Sequence, residues 1–98
     1  VQTYVEKNGF SIVRELTGHG VGSELHEDPM IPNYGKMGAG AKLVKNMVVA
    51  VEPMVNMGER YVQFLSDGWT CVTRDKLPAA HYENTILITE NGIEILTL

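Results

Sequence analysis

The pattern of apolar and polar positions predicts one helix followed by a series of short strands. Apolar side chains recur at helical spacing over residues 1–8, and Asn8-Gly9 is typical of a helix C-cap. Further along, apolar runs alternate with turn residues, as expected of strands. The predicted strands are residues 10–16, 47–55, 61–65, 69–73, 80–89 and 93–96.

Two turn signals indicate that these strands pair in antiparallel hairpins. Asp67-Gly68 lies between two strand-like runs, and Glu90-Asn91-Gly92 lies between two others. In contrast, residues 17–40 are rich in glycine and proline, so we expect a long loop without secondary structure of its own. Loops of this length usually carry function. One helix beside a strongly bent antiparallel sheet makes the predicted fold class α+β.

The composition limits both the size and the partners of the protein. The chain has 98 residues, 44% of them apolar, and a net charge of −4, which predicts one small globular domain. No cluster of Lys or Arg is present, so neither nucleic acid nor a membrane surface is an expected partner. The longest apolar run, residues 47–51, is too short to span a bilayer.

The single cysteine and the chain ends suggest where the protein works and how it is organised. Cys71 has no partner for an internal disulfide, which favours a reducing, cytoplasmic location, and its strand-like neighbours predict a packed thiol. The chain begins at Val1 within a helical pattern and ends directly after a strand-like run. We therefore expect a fragment of a longer protein.

Two histidines stand out because their neighbours are unlike those of a core histidine. His19 lies between glycines in Gly18-His19-Gly20-Val21-Gly22, and His26 lies in an acidic segment that ends at Pro29. Because glycine carries no side chain, the ring of His19 is expected to be open to a metal ion or a substrate.

Two carboxylates are candidates to join these histidines. By strand parity, Glu52 shares a face with Val48 and Ala50, and Glu83 shares one with His81 and Thr85. Each carboxylate is therefore expected to be buried in its strand, where an isolated charge is costly. Two carboxylates and an imidazole suit divalent manganese, iron, cobalt or zinc. A salt bridge is the alternative for Glu52 alone.

Short motifs in a fixed order point to a family. They are Gly18-His19-Gly20-Val21-Gly22, Leu25-His26-Glu27-Asp28-Pro29, Val51-Glu52-Pro53-Met54-Val55-Asn56, Asp67-Gly68-Trp69-Thr70, Tyr82-Glu83-Asn84-Thr85 and Gly92-Ile93-Glu94-Ile95-Leu96-Thr97. With these motifs the chain resembles the C-terminal half of a type I methionine aminopeptidase. The resemblance implies the C-terminal half of the pita-bread (creatinase/aminopeptidase) fold over residues 1–98, without the N-terminal half.

The resemblance also implies a set of metal ligands. His19, Glu52 and Glu83 match three of the family's five ligands, and the other two are aspartates of the N-terminal half. Two divalent ions (Mn, Fe, Co or Zn) are implied for the complete enzyme, with fewer or none in residues 1–98 alone. Glu83 matches the carboxylate that bridges the two ions.

The remaining roles concern the substrate. Glu52 matches the residue that accepts a proton from the attacking water, and His26 matches the histidine that hydrogen-bonds the scissile carbonyl. Trp69 matches a wall of the methionine pocket, with plain core packing as its alternative, and Leu25 lies next to that pocket. His81 is either a donor to the ligands or an accidental neighbour.

The implied activity is removal of the N-terminal methionine from nascent proteins whose second residue is small, with the ribosome as a candidate partner. Two alternatives stay open: a non-catalytic folded fragment, and a related enzyme of the proline dipeptidase or creatinase type. Without the other half, the strand at 47–51 and Trp69 are expected to lack cover. We therefore expect residues 1–98 alone to self-associate, most simply as a homodimer, and to be inactive.

Overall fold

A computed structural model describes all residues from 1 to 98. It contains one helix and ten short strands. In chain order these are α1 (Gln2–Lys7), β1 (Ser11–Ile12), β2 (Gly18–Gly20), β3 (Glu27–Ile31), β4 (Val48–Val51), β5 (Met54–Asn56), β6 (Val62–Phe64), β7 (Cys71–Thr73), β8 (Ala79–His81), β9 (Asn84–Thr89) and β10 (Gly92–Ile95).

The strands form three antiparallel sheets. The largest has five strands in the order β10-β9-β4-β2-β3, the second has three in the order β1-β5-β8, and β6 and β7 form the third. The α+β prediction is therefore confirmed, with α1 at the predicted place. No helix is long and apolar enough to cross a membrane.

Both predicted hairpins are present, because each turn is fixed by local chemistry. Gly68 has a φ of 72°, and the Asp67 carboxylate accepts hydrogen bonds from the backbone N–H groups of Trp69 and Thr70. The Thr70 hydroxyl donates to the same carboxylate. At the second turn, Gly92 has a φ of 134° and pairs with Thr89, so β9 and β10 are joined by a two-residue loop.

The two long predicted strands at 47–55 and 80–89 are each broken in two. Val51 pairs with Asn84 in the five-stranded sheet, whereas the next register pair, Met54 with His81, belongs to the three-stranded sheet. Pro53 has no backbone N–H to give to a ladder, so regular pairing stops here. The backbone N–H of Tyr82 donates to the Pro53 carbonyl across the break. The chain pair thus bends from one sheet into the other.

The predicted loop at 17–40 is wrong in part, since β2 and β3 lie inside it. Its glycines hid the strand pattern, and a register shift between His19 and Gly20 interrupts the β2–β3 ladder. The predicted strand at 10–16 is shorter than expected, because only Ser11–Ile12 pairs regularly with β5. Val13 still donates its N–H to the Met54 carbonyl.

The core is small for the length of the chain, since only ten of 98 residues are buried. Its centre is Val49, Ile86 and Ile88, from the neighbouring strands β4 and β9 of the large sheet. Val49 and Ala50 are 0% and 1% exposed, so the expectation that residues 47–51 lack cover is wrong for these two residues, while Met47, Val48 and Val51 stay half-buried. Apolar exposure is concentrated instead in side chains such as Trp69, which is 89% exposed.

Candidate metal centre

Three side chains predicted to bind metal converge on one point. His19, Glu52 and Glu83 each offer a ligand atom, and these atoms all lie within 4.8 Å of one another. His19 belongs to β2, whereas Glu52 and Glu83 lie at the break where the paired strands pass between sheets. His19 Nε2 is 3.3 Å from Glu52 Oε2. Residues that are far apart in sequence are thus within reach of a single cation.

The glycines beside His19 serve the backbone of the sheet. A Cβ atom at Gly18 would collide with the carbonyl oxygen of Ala50, and one at Gly20 would collide with the carbonyl oxygen of Asp28. Glycine is therefore required for β4 and β3 to approach β2 on its two sides. This differs from the prediction that the glycines clear space for a ligand. Their effect on the site is to place His19 opposite Ala50 in the five-stranded sheet.

A hydrogen bond to the backbone fixes the tautomer of His19. Its Nδ1 lies 2.9 Å from the Gly20 carbonyl oxygen. Because a carbonyl oxygen only accepts, Nδ1 carries the proton and donates. In the neutral ring Nε2 therefore keeps its lone pair and points it toward Glu52, which is the usual arrangement of a metal-binding histidine.

The charge balance of the three groups calls for a cation or a proton between them. The pKa of Glu52 is raised, first by burial and then by a hydrogen bond and charge repulsion from Glu83, while His19 and His81 act in the opposite direction. Two carboxylates and an imidazole lone pair are all acceptors. A divalent ion would satisfy all three at once, so the residues fit the metal that the sequence predicts.

Glu83 is more open than the strand pattern predicts. Its side chain is 43% exposed, whereas that of Glu52 is 16% exposed, so the expectation of burial is wrong for Glu83. His81 Nε2 lies 3.8 Å from Glu83 Oε2. This separation is longer than a hydrogen bond, so His81 is not a donor to Glu83 in this structure.

His26 lies beside His19 rather than among the carboxylates. The two ring centroids are 4.2 Å apart, and the planes are inclined at 55°. Both rings line an open cleft of about 550 Å³ whose other walls include the side chains of Glu24, Glu27 and Asp28. The cleft is polar and acidic, and His19 connects it to the candidate metal centre.

A second cleft reaches the same centre and was not expected from the sequence. Its volume is about 370 Å³, and its walls are mostly apolar, with Glu52, His81 and Cys71 as the titratable members. Burial, followed by the charge of Glu15, raises the pKa of the Cys71 thiol. The thiol is half-buried and borders the cleft, so the prediction of a packed thiol holds only in part.

Trp69 and Leu25 lie outside both clefts. Trp69 follows the Asp67-Gly68 turn and is 89% exposed, so the alternative of core packing is wrong. Leu25 is also mostly exposed. Residues 1–98 therefore do not bring these two side chains to the metal-ligand group.

Sequence reasoning missed one buried contact to the centre. The side-chain amide of Asn33 donates to the backbone carbonyl of Glu52 across 3.2 Å. Asn33 lies in the turn-rich segment after β3, where nothing in the pattern distinguishes it from surface turn residues.

Fold and site together give a candidate metal centre of the histidine–carboxylate type on a bent antiparallel sheet. Comparison with known families assigns the chain to a family. The sequence profile of metallopeptidase family M24 matches residues 1–90, and the chain belongs to this family. Use of a divalent metal agrees with the family and with the donor set.

The chain is similar to curated methionine aminopeptidases. It is 59% identical over 98 residues to a methionine aminopeptidase of Clostridium perfringens, and 59% identical over 97 residues to methionine aminopeptidase 1 of Bacillus subtilis. These alignments cover all or nearly all of the chain but only 39% of each relative. The chain thus spans about two fifths of the length of these relatives.

Solved structures show the same fold. The methionine aminopeptidase of Thermotoga maritima matches 99% of the chain with a TM-score of 0.95 and 58% identity, over 39% of its own length. That of Rickettsia prowazekii matches 99% with a TM-score of 0.96 and 47% identity, over 40% of its length. The predicted pita-bread fold is confirmed for this portion.

Proposed function

We propose that residues 1–98 form the C-terminal half of a type I methionine aminopeptidase. In this proposal the complete enzyme removes the N-terminal methionine from nascent proteins whose second residue is small. The observation that carries it is the convergence of His19, Glu52 and Glu83 in a chain 59% identical to a methionine aminopeptidase.

In this proposal His19, Glu52 and Glu83 hold two divalent ions of manganese, iron, cobalt or zinc, together with two aspartates from the other half. Bound ions of this kind lower the pKa of water and polarise a peptide carbonyl. His19 binds through Nε2, because its Nδ1 proton is held by the Gly20 carbonyl. Because the five ligands are divided between the two halves of the protein, residues 1–98 contribute only three of them.

The other proposed roles follow from position. Glu52 accepts a proton from the attacking water on a carboxylate oxygen, since it lies within reach of the same candidate ion as His19. His26 donates a ring N–H to the scissile carbonyl, since it lies in the polar cleft beside His19. Trp69 and Leu25 bind the methionine side chain once the other half of the protein covers them.

The wider setting is part of the same proposal. The complete enzyme acts in the cytoplasm on chains that leave the ribosome, and the lone Cys71 agrees with a reducing compartment. Residues 1–98 alone are inactive, because three ligands from one side do not hold two ions in a catalytic geometry. Exposed apolar side chains, such as that of Trp69, favour self-association of the isolated chain.

A substrate comparison tests the proposal. The intact polypeptide that contains residues 1–98, loaded with Mn²⁺ or Co²⁺, is assayed on Met-Ala-Ser and on an X-Pro dipeptide. Release of methionine from Met-Ala-Ser is expected, and the apo protein is the control. Preference for the X-Pro dipeptide would favour the proline dipeptidase type, and no hydrolysis of either peptide would favour a non-catalytic module.

A further inference from the structure

We propose that Asn33 is a positioning residue for the metal centre and that it acts through the backbone of Glu52. The inference rests on the proposed function, because it assumes that Glu52 is a metal ligand. It concerns the contact in which Asn33 Nδ2 donates to the Glu52 carbonyl oxygen across 3.2 Å. Asn33 itself offers no atom to the ligand group.

Burial makes this contact informative. Asn33 is only 3% exposed, and its Oδ1 has no hydrogen-bond partner. A buried polar atom without a partner destabilises the folded protein, and an apolar residue of similar size would avoid that cost. The amide orientation is fixed, because a carbonyl oxygen only accepts and Nδ2 must face it. The single use of this buried side chain is therefore its donation to Glu52.

The Glu52 carbonyl lies between two strands, outside the regular ladders of both sheets. β4 ends at Val51, β5 begins at Met54, and Pro53 between them has no N–H to donate. The proline also restricts the backbone of the preceding residue, Glu52, to extended conformations. The Asn33 amide adds a second constraint, because its hydrogen bond holds the backbone carbonyl of Glu52.

These constraints hold the backbone from which the Glu52 side chain extends. A shift of the Glu52 Cα would be passed on through the Cα–Cβ bond and would move Oε2 away from His19 Nε2, now 3.3 Å distant. Metal ligands must be held closely to their productive geometry, and partners that orient ligands influence affinity strongly. Asn33 thereby connects the segment after β3 with a ligand that directly follows β4.

Metal affinity tests the inference against a matched control. Asn56 is similarly buried, and its Nδ2 donates across 2.9 Å to the backbone carbonyl of Glu59, which belongs to no candidate ligand. Apo forms of the intact polypeptide, with Asn33→Ala or Asn56→Ala, are titrated with Mn²⁺ and Co²⁺ by calorimetry. Asn33→Ala is expected to weaken binding by about 10–100-fold and to alter the visible absorption of bound Co²⁺. Asn56→Ala is expected to change neither.

A second test uses the unmodified protein, so it remains valid even where a variant fails to fold. In an NMR titration with Zn²⁺, the side-chain amide signal of Asn33 is expected to shift with saturation, whereas that of Asn56 stays in place. Equal metal affinity and an unshifted Asn33 signal in a protein that binds metal would overturn this inference alone. No metal binding by the unmodified protein would overturn the proposed function as well.

Discussion

The imidazole rings of His19 and His26 lie 4.2 Å apart between centroids, but they face different surroundings. His19 directs Nε2 toward Glu52, while His26 lies in the acidic cleft before β3. Because the rings are in contact, a change in one is expected to affect the other sterically. Their proposed tasks nevertheless differ, since one binds metal and the other contacts the substrate.

Substitution separates these two tasks. In the intact enzyme, His26→Ala is expected to lower kcat by about 10²–10³-fold, as for loss of one transition-state donor, with metal content nearly unchanged. His19→Ala is expected to lose metal, because it removes a ligand atom from the converging group. Elemental analysis and steady-state kinetics measure both effects. Equal metal loss in the two variants would show that the assignments are wrong.

Gly18→Ala is expected to destabilise the fold. The new Cβ would meet the Ala50 carbonyl oxygen, which is backbone and cannot move aside without shifting β4. Overpacking of this kind costs about 1–3 kcal/mol, measured as the free energy of unfolding in urea. Gly22→Ala is the control, since its Cβ would meet only the side chain of Glu27. Similar losses in both variants would contradict the backbone explanation.

The β6–β7 hairpin is expected to weaken in acid. Hydrogen bonds from Thr70 and from the Trp69 N–H hold the pKa of Asp67 below its ordinary value of 3.8. A lowered folded-state pKa gives stability that is present above the unfolded-state pKa and is lost as pH falls through the folded-state value. Carboxyl NMR titration should therefore place Asp67 below 3.8. Asp67→Asn should reduce stability at neutral pH and remove this acid dependence.

Trp69 reports on self-association of the isolated chain. It is the single tryptophan and is 89% exposed, so its fluorescence should be strongly quenched by acrylamide in dilute solution. If copies associate through this surface, quenching should decrease as concentration rises while light scattering gives a dimer mass. A monomer mass with sharp, cooperative melting at micromolar concentration would contradict self-association. Peptidase activity near that of the complete enzyme would contradict the expected inactivity.

Local signals predicted the elements that depend on local chemistry. The Asp67-Gly68 and Glu90-Asn91-Gly92 turns form as expected, because side-chain hydrogen bonds and positive φ angles fix them within a few residues. The grouping of His19, Glu52 and Glu83 was also predicted, although its warrant was residue type and the family resemblance rather than periodicity.

What the sequence did not reveal depends on contacts between distant segments. β2 was not predicted because its glycines are required by close approach to the backbone carbonyls of Ala50 and Asp28, which lie on other strands. The exposure of Glu83 was missed because alternation along a strand assumes that one face is covered. The role of Asn33 depends on a contact with Glu52, nineteen residues away.

The break between the two sheets fixes the positions of Glu52 and Glu83 but not the length of the chain segment between them. Register pairs clamp the strands on both sides of Glu52 and Glu83, at Val51 with Asn84 and at Met54 with His81. The segment between the two carboxylates, residues 53–82, leaves and re-enters the sheets at these register pairs. It includes the exposed hairpin of β6 and β7. Residues added at the hairpin tip would lengthen the path along the chain at small entropic cost. Sequence separation and spatial separation of the two ligands are thus independent, so this arm is a place where homologous proteins can diverge in length while the metal centre keeps its dimensions.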